Sequence, residues 1–147
     1  MPKPKKVLFV CIGNSCRSQM AEALARHRAA DVIEPASAGL SPLGNISVPT
    51  RVVLLERGAR VDGQYSKGLP EVDPDSAELI VNMTGIPGKA LFPGAQVVDW
   101  DVDDPYGEDL VVYRRVRDEI EELVTELAAS LRGDTPASPN PRASNLR

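Results

Sequence analysis

The sequence predicts an α/β fold, a single domain in which helices flank a parallel β-sheet. Four short apolar runs are typical of strands, and stretches with the helical spacing of apolar residues lie among them and after them. Strands that alternate with helices along a chain pair in parallel through right-handed crossovers. A length of 147 residues, with 42% hydrophobic and 26% charged residues, fits one compact domain.

The first half of the chain supplies two of these strands. Residues 7–10 form a continuous apolar run, which is typical of a strand buried on both faces. After a short polar loop, residues 18–30 have the spacing of a helix. Residues 32–38 are predicted to be a second strand, and Pro35 within them indicates a position at the edge of the sheet.

The second half supplies the remaining strands and the longest helix. Residues 39–48 are rich in Gly, Ser and Pro and predict a loop, which a helix over residues 49–57 follows. Residues 78–83 and 96–100 are predicted to be the third and fourth strands. Over residues 108–132 the apolar residues form one stripe, which predicts a long amphipathic helix.

The composition changes near the end of the chain. Residues 133–147 contain three prolines and little apolar content, so they cannot bury enough surface to order themselves. The folded domain is therefore predicted over residues 1–132, followed by a disordered tail.

Charge and cysteine content limit the classes of function. The net charge is −4 without a basic stripe, which argues against a nucleic-acid partner. Two cysteines are too few for a disulfide scaffold, so we expect a reducing, cytoplasmic environment. No apolar run approaches the length that spans a membrane, so no membrane partner is expected.

The loop after the first strand carries the strongest chemical signal. Cys11 stands at the end of that strand, and Arg17 follows after five residues, at the start of a helix. A helix N-terminus and an arginine fork bind a tetrahedral anion, and the same positive surroundings, with a hydrogen bond from Ser18, would stabilise a thiolate. Cys11 is therefore a candidate nucleophile beneath a bound phosphate. The residues expected to surround that phosphate with their backbone N–H groups are Ile12, Gly13, Asn14, Ser15 and Cys16.

Other interpretations of this loop are weaker. It lacks the Gly-Lys-Ser/Thr of a nucleotide-binding loop. Two cysteines and one histidine in the whole chain are too few ligands for a structural zinc site, and we expect no metal. His27 lies roughly 15 Å along the helix from Arg17, too far to activate the cysteine. Two buried cysteines beside a structural arginine remain the alternative without a function.

A general acid is also required, and the residues after the fourth strand offer one. Residues 98–107 contain four aspartates and follow a strand that ends at the same edge of the sheet as Cys11. Crowding of like charges can keep one carboxyl group protonated, as an acid for the leaving oxygen. The spacing alone does not choose among the four, and an acidic turn that caps the next helix is the alternative.

Three motifs together resemble the low-molecular-weight protein tyrosine phosphatase superfamily, which includes the thioredoxin-coupled arsenate reductases. They are VLFVCIGNSCRS at residues 7–18, SAGLS at residues 37–41 and DDPYG at residues 103–107, and the resemblance extends over residues 6–131. It implies a three-layer sandwich with a four-stranded parallel sheet flanked by helices. It implies no metal and no other cofactor.

The resemblance also implies roles for individual residues. Cys11 would be the nucleophile, Arg17 the phosphate clamp, and Asp104 the general acid and later the base for water. Asn14 and Ser18 match a loop-shaping asparagine and a thiolate-stabilising serine. Further residues match a serine that braces the asparagine (Ser41), a second cysteine that forms a reversible disulfide with the nucleophile (Cys16) and an aromatic residue of the substrate cleft (Tyr106).

The sequence contains features that are typical of each of the two branches of the superfamily. NSCRSQMAE at residues 14–22 and the position of Trp100 resemble the arsenate reductases, but those enzymes have two further cysteines after the third strand, and residues 79–88 contain none. Tyr106 directly after Asp-Pro favours the phosphatases. No aromatic residue in the loop over residues 40–48 can stack on a phosphotyrosine ring; its apolar members are Leu43 and Ile46.

The sequence therefore predicts a cysteine-dependent phosphomonoesterase, of the protein tyrosine phosphatase type, that acts through a phosphocysteine intermediate. Its expected ligands are a phosphorylated protein or a small aryl phosphate, and a phosphate or arsenate oxyanion. The alternatives are an arsenate reductase that uses an external thiol or redoxin, and a non-catalytic oxyanion-binding module.

Overall fold

A computed structural model of the protein describes residues 3–133 and 143–144. Five strands form one sheet in the order β2-β1-β3-β4-β5. The strands are β1 (Lys5–Cys11), β2 (Ile33–Gly39), β3 (Leu79–Asn82), β4 (Val97–Trp100) and β5 (Ala143–Ser144). The helices are α1 (Arg17–Arg28), α2 (Val48–Leu55), α3 (Gly88–Leu91) and α4 (Leu110–Leu131).

The predicted α/β fold is confirmed. Strands β1 to β4 are parallel to one another, and the strand that contains Pro35 lies at the edge of the sheet, as the sequence predicts. The sequence did not predict the short helix α3 or the single 3₁₀ turns at Leu69–Glu71 and Pro74–Ser76.

The last strand is a second difference from the prediction. β5 pairs antiparallel with β4, and this brings Ala143 opposite Trp100. The tail predicted over residues 133–147 lies outside the described residues, apart from Gly133 and this two-residue strand. The disorder expected from its composition therefore stays a prediction.

Alternation of side chains along β1 supplies both faces of the core. Phe9 packs into the larger apolar cluster with residues of α1, α2 and α4, whereas Leu8 and Val10 belong to a smaller cluster on the opposite face. Complete burial of a side chain such as Phe9 contributes about 1.5–3 kcal/mol to stability. Burial on both faces, at a position inside the sheet, explains why residues 7–10 of β1 are continuously apolar.

The parallel register brings the site residues to one edge. Val10 is paired with Asn82, and Asn82 with Asp99, so β1, β3 and β4 end side by side. The segment after Trp100 therefore emerges beside the loop after Cys11, as the sequence predicts. In the part of the chain that the structure describes, no helix combines the length and apolar character needed to cross a bilayer.

Candidate active site

The loop between Cys11 and Arg17 is held open by outward-facing carbonyl groups. The carbonyl oxygens of Cys11, Ile12 and Gly13 accept hydrogen bonds from the backbone N–H groups of residues 40, 41 and 43. Asn14 has a φ of 49°, in the left-handed region that asparagine adopts more readily than most residues. Carbonyl groups turned away from the cavity are the arrangement expected to direct the N–H groups of the loop toward an anion.

Gly39, the last residue of β2, lies directly against this loop. A Cβ atom on Gly39 would lie 2.6 Å from the carbonyl oxygen of Ile12 and 2.9 Å from the backbone nitrogen of Asn14. Both contacts are with backbone, which cannot move without displacing the loop. Only glycine fits there, a requirement that the sequence analysis did not identify although Gly39 lies within the SAGLS motif.

Cys11 is hydrogen-bonded from behind the loop. Its Sγ atom lies 2.9 Å from Oγ of Ser18, and Nδ2 of Asn14 donates to the same Oγ atom at 2.7 Å. Because Ser18 accepts from Asn14, its own hydroxyl proton is available to Cys11. The structure thus places Ser18 where it can stabilise a thiolate, and all three side chains are buried.

The serine that braces Asn14 is Ser37, and the expectation that Ser41 has this role is wrong. Nδ2 of Asn14 donates to Oγ of Ser37 at 3.0 Å. Ser41, which the resemblance implied for this role, instead borders the cavity in front of the loop. The physical reason is that Ser37 points from β2 into the space behind the loop, whereas Ser41 follows the strand and lies at the front.

Arg17 is buried and oriented by backbone carbonyls. Its Nη1 atom donates to the carbonyl oxygens of Met83 at 2.6 Å and Val102 at 3.1 Å. Its Nε atom is buried and has no hydrogen-bond partner among the described residues. A buried guanidinium with an unused N–H is an unsatisfied donor, which an oxyanion would satisfy through the Nε–Nη2 edge.

A cavity of about 250 Å³ lies in front of the loop. It brings together nine of the predicted site residues and Leu43. The nine are Cys11, Ile12, Gly13, Ser15, Cys16, Arg17, Ser41, Asp104 and Tyr106. The other two predicted residues, Asn14 and Ser18, are buried behind the loop and act on the cavity through their hydrogen bonds.

The structure separates the four aspartates that the sequence could not rank. Asp99 accepts from Asn82 and from the backbone of α3, Asp101 borders a different cavity, and Asp103 pairs with Arg115 at 3.2 Å. Only Asp104 among them lines the cavity of Cys11, and its Oδ2 atom lies 3.6 Å from Nη2 of Arg17. The geometry therefore favours Asp104 as the carboxyl group of the site.

Cys16 contacts a group of hydroxyls that the sequence analysis did not identify. Its Sγ atom lies 3.5 Å from Oγ of Ser47 and 3.5 Å from the hydroxyl of Tyr113. Burial raises the pKa of Tyr113 to about 12, with a smaller contribution from the hydrogen bond to Cys16, so Tyr113 remains a proton donor. Both cysteines are free thiols. In the sequence, Tyr113 is simply one of the apolar residues over 108–132 that predict the long helix.

A second cavity, of about 390 Å³, lies on the other side of Arg17. Asn82, Asp99 and Trp100 are among its lining residues, but neither cysteine is. Among the described residues, no group of three or more His, Cys, Asp or Glu side chains is arranged to hold a metal ion. The first cavity is lined by two thiols, one guanidinium and one carboxyl group.

Comparison with known proteins finds relatives that match most of the chain. Residues 6–137 match the sequence model of the family described as low molecular weight phosphotyrosine protein phosphatase. The chain is 36% identical, over 132 residues, to a glutaredoxin arsenate reductase from a Synechocystis species; the match covers 86% of this chain and 98% of that protein. It is 34% identical, over 144 residues, to a protein-arginine-phosphatase of Geobacillus stearothermophilus, with 87% and 97% covered.

A solved structure described as an arsenate reductase in the phosphate binding state superposes on this fold with a TM-score of 0.76. The two sequences are 33% identical, and the match covers 86% of this chain and 98% of the other. Relatives with two different activities thus share the fold and most of the length of this chain. On the fold, the cysteine-arginine loop and the match over residues 6–137, the chain belongs to the low molecular weight phosphotyrosine protein phosphatase family.

Proposed function

We propose that the protein is a cysteine-dependent phosphomonoesterase that forms a phosphocysteine intermediate. The observation that carries this proposal is the convergence of Cys11, Arg17 and Asp104 on one cavity. A nucleophile, a cation for the phosphoryl oxygens and a carboxyl group for the leaving oxygen are the three groups that in-line transfer requires.

The proposed reaction uses these three groups in two steps. The Cys11 thiolate attacks phosphorus as the bond to the ester oxygen breaks, and the proton of the Asp104 carboxyl passes to that oxygen. Arg17 and the N–H groups of the loop hold the three other phosphoryl oxygens, where charge accumulates. Asp104, now a carboxylate, takes a proton from water, which attacks phosphorus and releases inorganic phosphate and the Cys11 thiolate.

The rim of the cavity supports an aryl ester as the substrate. Ile12, Leu43 and Tyr106 border the opening, and Leu43 and Tyr106 are about half exposed. These side chains offer apolar contact to a flat ring, and Tyr106 is the aromatic residue at the opening. We therefore propose a phosphotyrosine protein or a small aryl phosphate, and the relative that is named a protein-arginine-phosphatase makes phosphoarginine the first substrate to compare with them.

An arsenate reductase is the second candidate, because Cys16 lines the same cavity as Cys11. Cys11 would bind arsenate with loss of water, and a thiol would then attack Cys11. This attack forms a disulfide, and the two electrons of the broken sulfur–arsenic bond reduce arsenic to arsenite. Residues 79–88 contain no cysteine, so reduction of the resulting disulfide requires an external thiol or redoxin.

One set of assays tests both candidates. Hydrolysis of an aryl phosphate, a phosphotyrosine peptide and a phosphoarginine peptide is measured beside arsenate reduction with a monothiol and with a redoxin. The proposal expects Cys11→Ser to abolish hydrolysis, and unchanged hydrolysis would refute it. Cys16→Ser is the comparison variant: it is expected to lower arsenate reduction more than hydrolysis, because only reduction uses a second thiol. Stabilisation by phosphate without any turnover would indicate an oxyanion-binding module.

A further inference from the structure

A buried ion pair lies behind the loop, outside the machinery described above. Glu22 on α1 and Lys67 in the segment before the turn at Leu69–Glu71 are 5% and 7% exposed. The Nζ atom of Lys67 lies 4.0 Å from Oε1 of Glu22, and Nη2 of Arg26 lies 2.7 Å from Oε2. Burial of charged groups at this level is rare and requires close partners.

A chain of hydrogen bonds leads from this pair to the nucleophile. Oγ of Ser37 donates to Oε1 of Glu22 at 2.6 Å, and Nδ2 of Asn14 donates to that Oγ atom at 3.0 Å. The same nitrogen donates to Oγ of Ser18 at 2.7 Å, and Ser18 contacts Sγ of Cys11 at 2.9 Å. All five residues that these hydrogen bonds connect are buried.

The orientation of the Asn14 amide fixes the direction of the two serine hydroxyl protons in this series of hydrogen bonds. Oδ1 of Asn14 accepts from Nε2 of Gln19 at 2.9 Å and from the backbone N–H of Lys67 at 2.9 Å, which fixes the amide with its nitrogen toward the serines. Both serine oxygens must then accept from Asn14, so each hydroxyl proton points away from it. The proton of Ser37 points to Glu22, and the proton of Ser18 points to Cys11.

We propose that the Lys67–Glu22 pair is a positioning device for the nucleophile. The pair keeps Glu22 an acceptor for Ser37, and this supports the orientation of the Asn14 amide that directs the Ser18 proton to the Cys11 sulfur. This inference rests on the proposed role of Cys11 as a thiolate. Lys67 and Glu22 do not touch the substrate cavity, so they act through Ser37, Asn14 and Ser18.

The proposed positioning depends on the positive charge of Lys67 beside Glu22. Burial lowers the pKa of the Lys67 ammonium, and this effect is opposed by Glu22 and Glu71 and reinforced by Arg26. Without that ammonium, the one cation beside Glu22 among the described residues is Arg26, whose side chain is nearly half exposed. A carboxylate drawn toward Arg26 would no longer hold the hydroxyl proton of Ser37, which could then turn against the Asn14 amide.

Three variants isolate this charge. Lys67→Met removes the ammonium but keeps the backbone N–H that binds Asn14, Lys67→Arg restores a cation, and Arg60→Met removes a cation from the exposed pair with Asp62 as the matched control. For each full-length variant, the rate of alkylation by iodoacetamide is measured against pH, and fragment mass spectrometry localises the label to Cys11. Hydrolysis of an aryl phosphate and thermal unfolding are recorded in parallel.

The proposal expects Lys67→Met to move the midpoint of Cys11 alkylation to higher pH by about half a unit or more, which is about threefold less thiolate below the midpoint. Lys67→Arg should have a midpoint close to that of the parent protein, and Arg60→Met should show no shift. A lower unfolding temperature with an unchanged midpoint would reduce Lys67 to a structural role and overturn the proposal.

A second variant covers the case in which Lys67→Met does not fold. Glu22→Met removes the acceptor of the Ser37 proton together with the need for a cation, and in it a midpoint equal to that of the parent protein would also overturn the proposal. Because alkylation requires no turnover, the experiment reads the positioning of Cys11 even if no phosphate ester proves to be a substrate. Failure of the device and failure of the proposed function are therefore distinguishable.

Discussion

Nη2 of Arg17 lies 3.6 Å from Oδ2 of Asp104, so the cation that would bind the phosphoryl group also contacts the carboxyl group that would act as the acid. An oxyanion that enters the cavity competes with Asp104 for the same guanidinium edge. Substrate binding would thus separate the carboxyl group from the guanidinium before the first step.

Asp104→Asn tests this role through the leaving group. An amide cannot donate a carboxyl proton, so we expect turnover of an alkyl or unactivated aryl phosphate to fall about 10²–10⁴-fold, and that of an ester with a strongly acidic phenol much less. Measurement of kcat for a series of phenols gives the dependence on leaving-group acidity. Asp103→Asn is the control, because Asp103 pairs with Arg115 outside the cavity. An equal loss for every leaving group in Asp104→Asn would move the acid role elsewhere.

Arg17→Lys tests the guanidinium fork. Lysine keeps the charge but cannot bind two carbonyl groups with one edge and an oxyanion with the other, so we expect kcat/KM to fall about 10²–10³-fold. Steady-state kinetics and phosphate inhibition measure the loss. Arg51→Lys, at an exposed position on α2, provides the comparison. Activity close to that of the parent protein would show that a point charge suffices.

Gly39→Ala tests the close approach of β2 to the loop. A methyl group 2.6 Å from the Ile12 carbonyl oxygen must displace the loop, so we expect weaker phosphate binding and a lower unfolding temperature. Gly68→Ala is the matched control, since its Cβ atom would lie 3.3 Å from the ring of Pro42 and its φ is −98°. Calorimetric titration with phosphate checks the first effect. Undiminished phosphate affinity in Gly39→Ala would contradict the proposed packing.

Cys16 is predicted to protect the nucleophile from irreversible oxidation. Oxidation of Cys11 by hydrogen peroxide gives a sulfenic acid, which the Cys16 thiol can convert to a disulfide with loss of water. In Cys16→Ala that step is absent, so we expect the activity lost to peroxide to return incompletely on treatment with dithiothreitol. Recovery as complete as in the parent protein would remove the redox role from Cys16.

Tyr113 links stability to alkaline pH. In the unfolded chain its phenol has a pKa near 10.0, whereas burial in the folded chain raises that pKa to about 12. The stabilisation from neutral Tyr113 is therefore complete below pH 10 and is lost as the pH rises through 12. We expect Tyr113→Phe to make the free energy of unfolding less dependent on pH between 10 and 12, as measured by urea denaturation. An identical slope in both proteins would contradict this assignment.

The sequence was most informative where one local segment contains the signal. The apolar run before Cys11 and the return of Arg17 at the start of a helix required no knowledge of distant residues. The position of Asp104 followed in part from the rule that parallel strands end at one edge, and the structure then separated it from Asp99 and Asp103. The roles of these residues in catalysis stay predictions.

What the sequence did not reveal depends on contacts between distant segments. The sequence did not distinguish Ser37 from Ser41, because both lie in one short motif and only the fold shows that Ser37, in β2, faces the space behind the loop, whereas Ser41, beyond the strand, lies at the front. Glu22 and Lys67 have the character of ordinary surface charges in the sequence, and only the fold buries them together. β5 was missed because its partner, β4, lies far from it along the chain, so no local pattern indicates the pairing.

Trp100 gives this fold an optical property of its own. It is the single tryptophan of the chain, and its buried ring lies 5.9 Å from that of Phe9, beside the second cavity bordered by Arg17. All of the tryptophan fluorescence therefore arises from one place, two residues before the carbonyl group that binds the guanidinium. A change in the surroundings of this segment can therefore be followed by the intrinsic emission of the unlabelled protein.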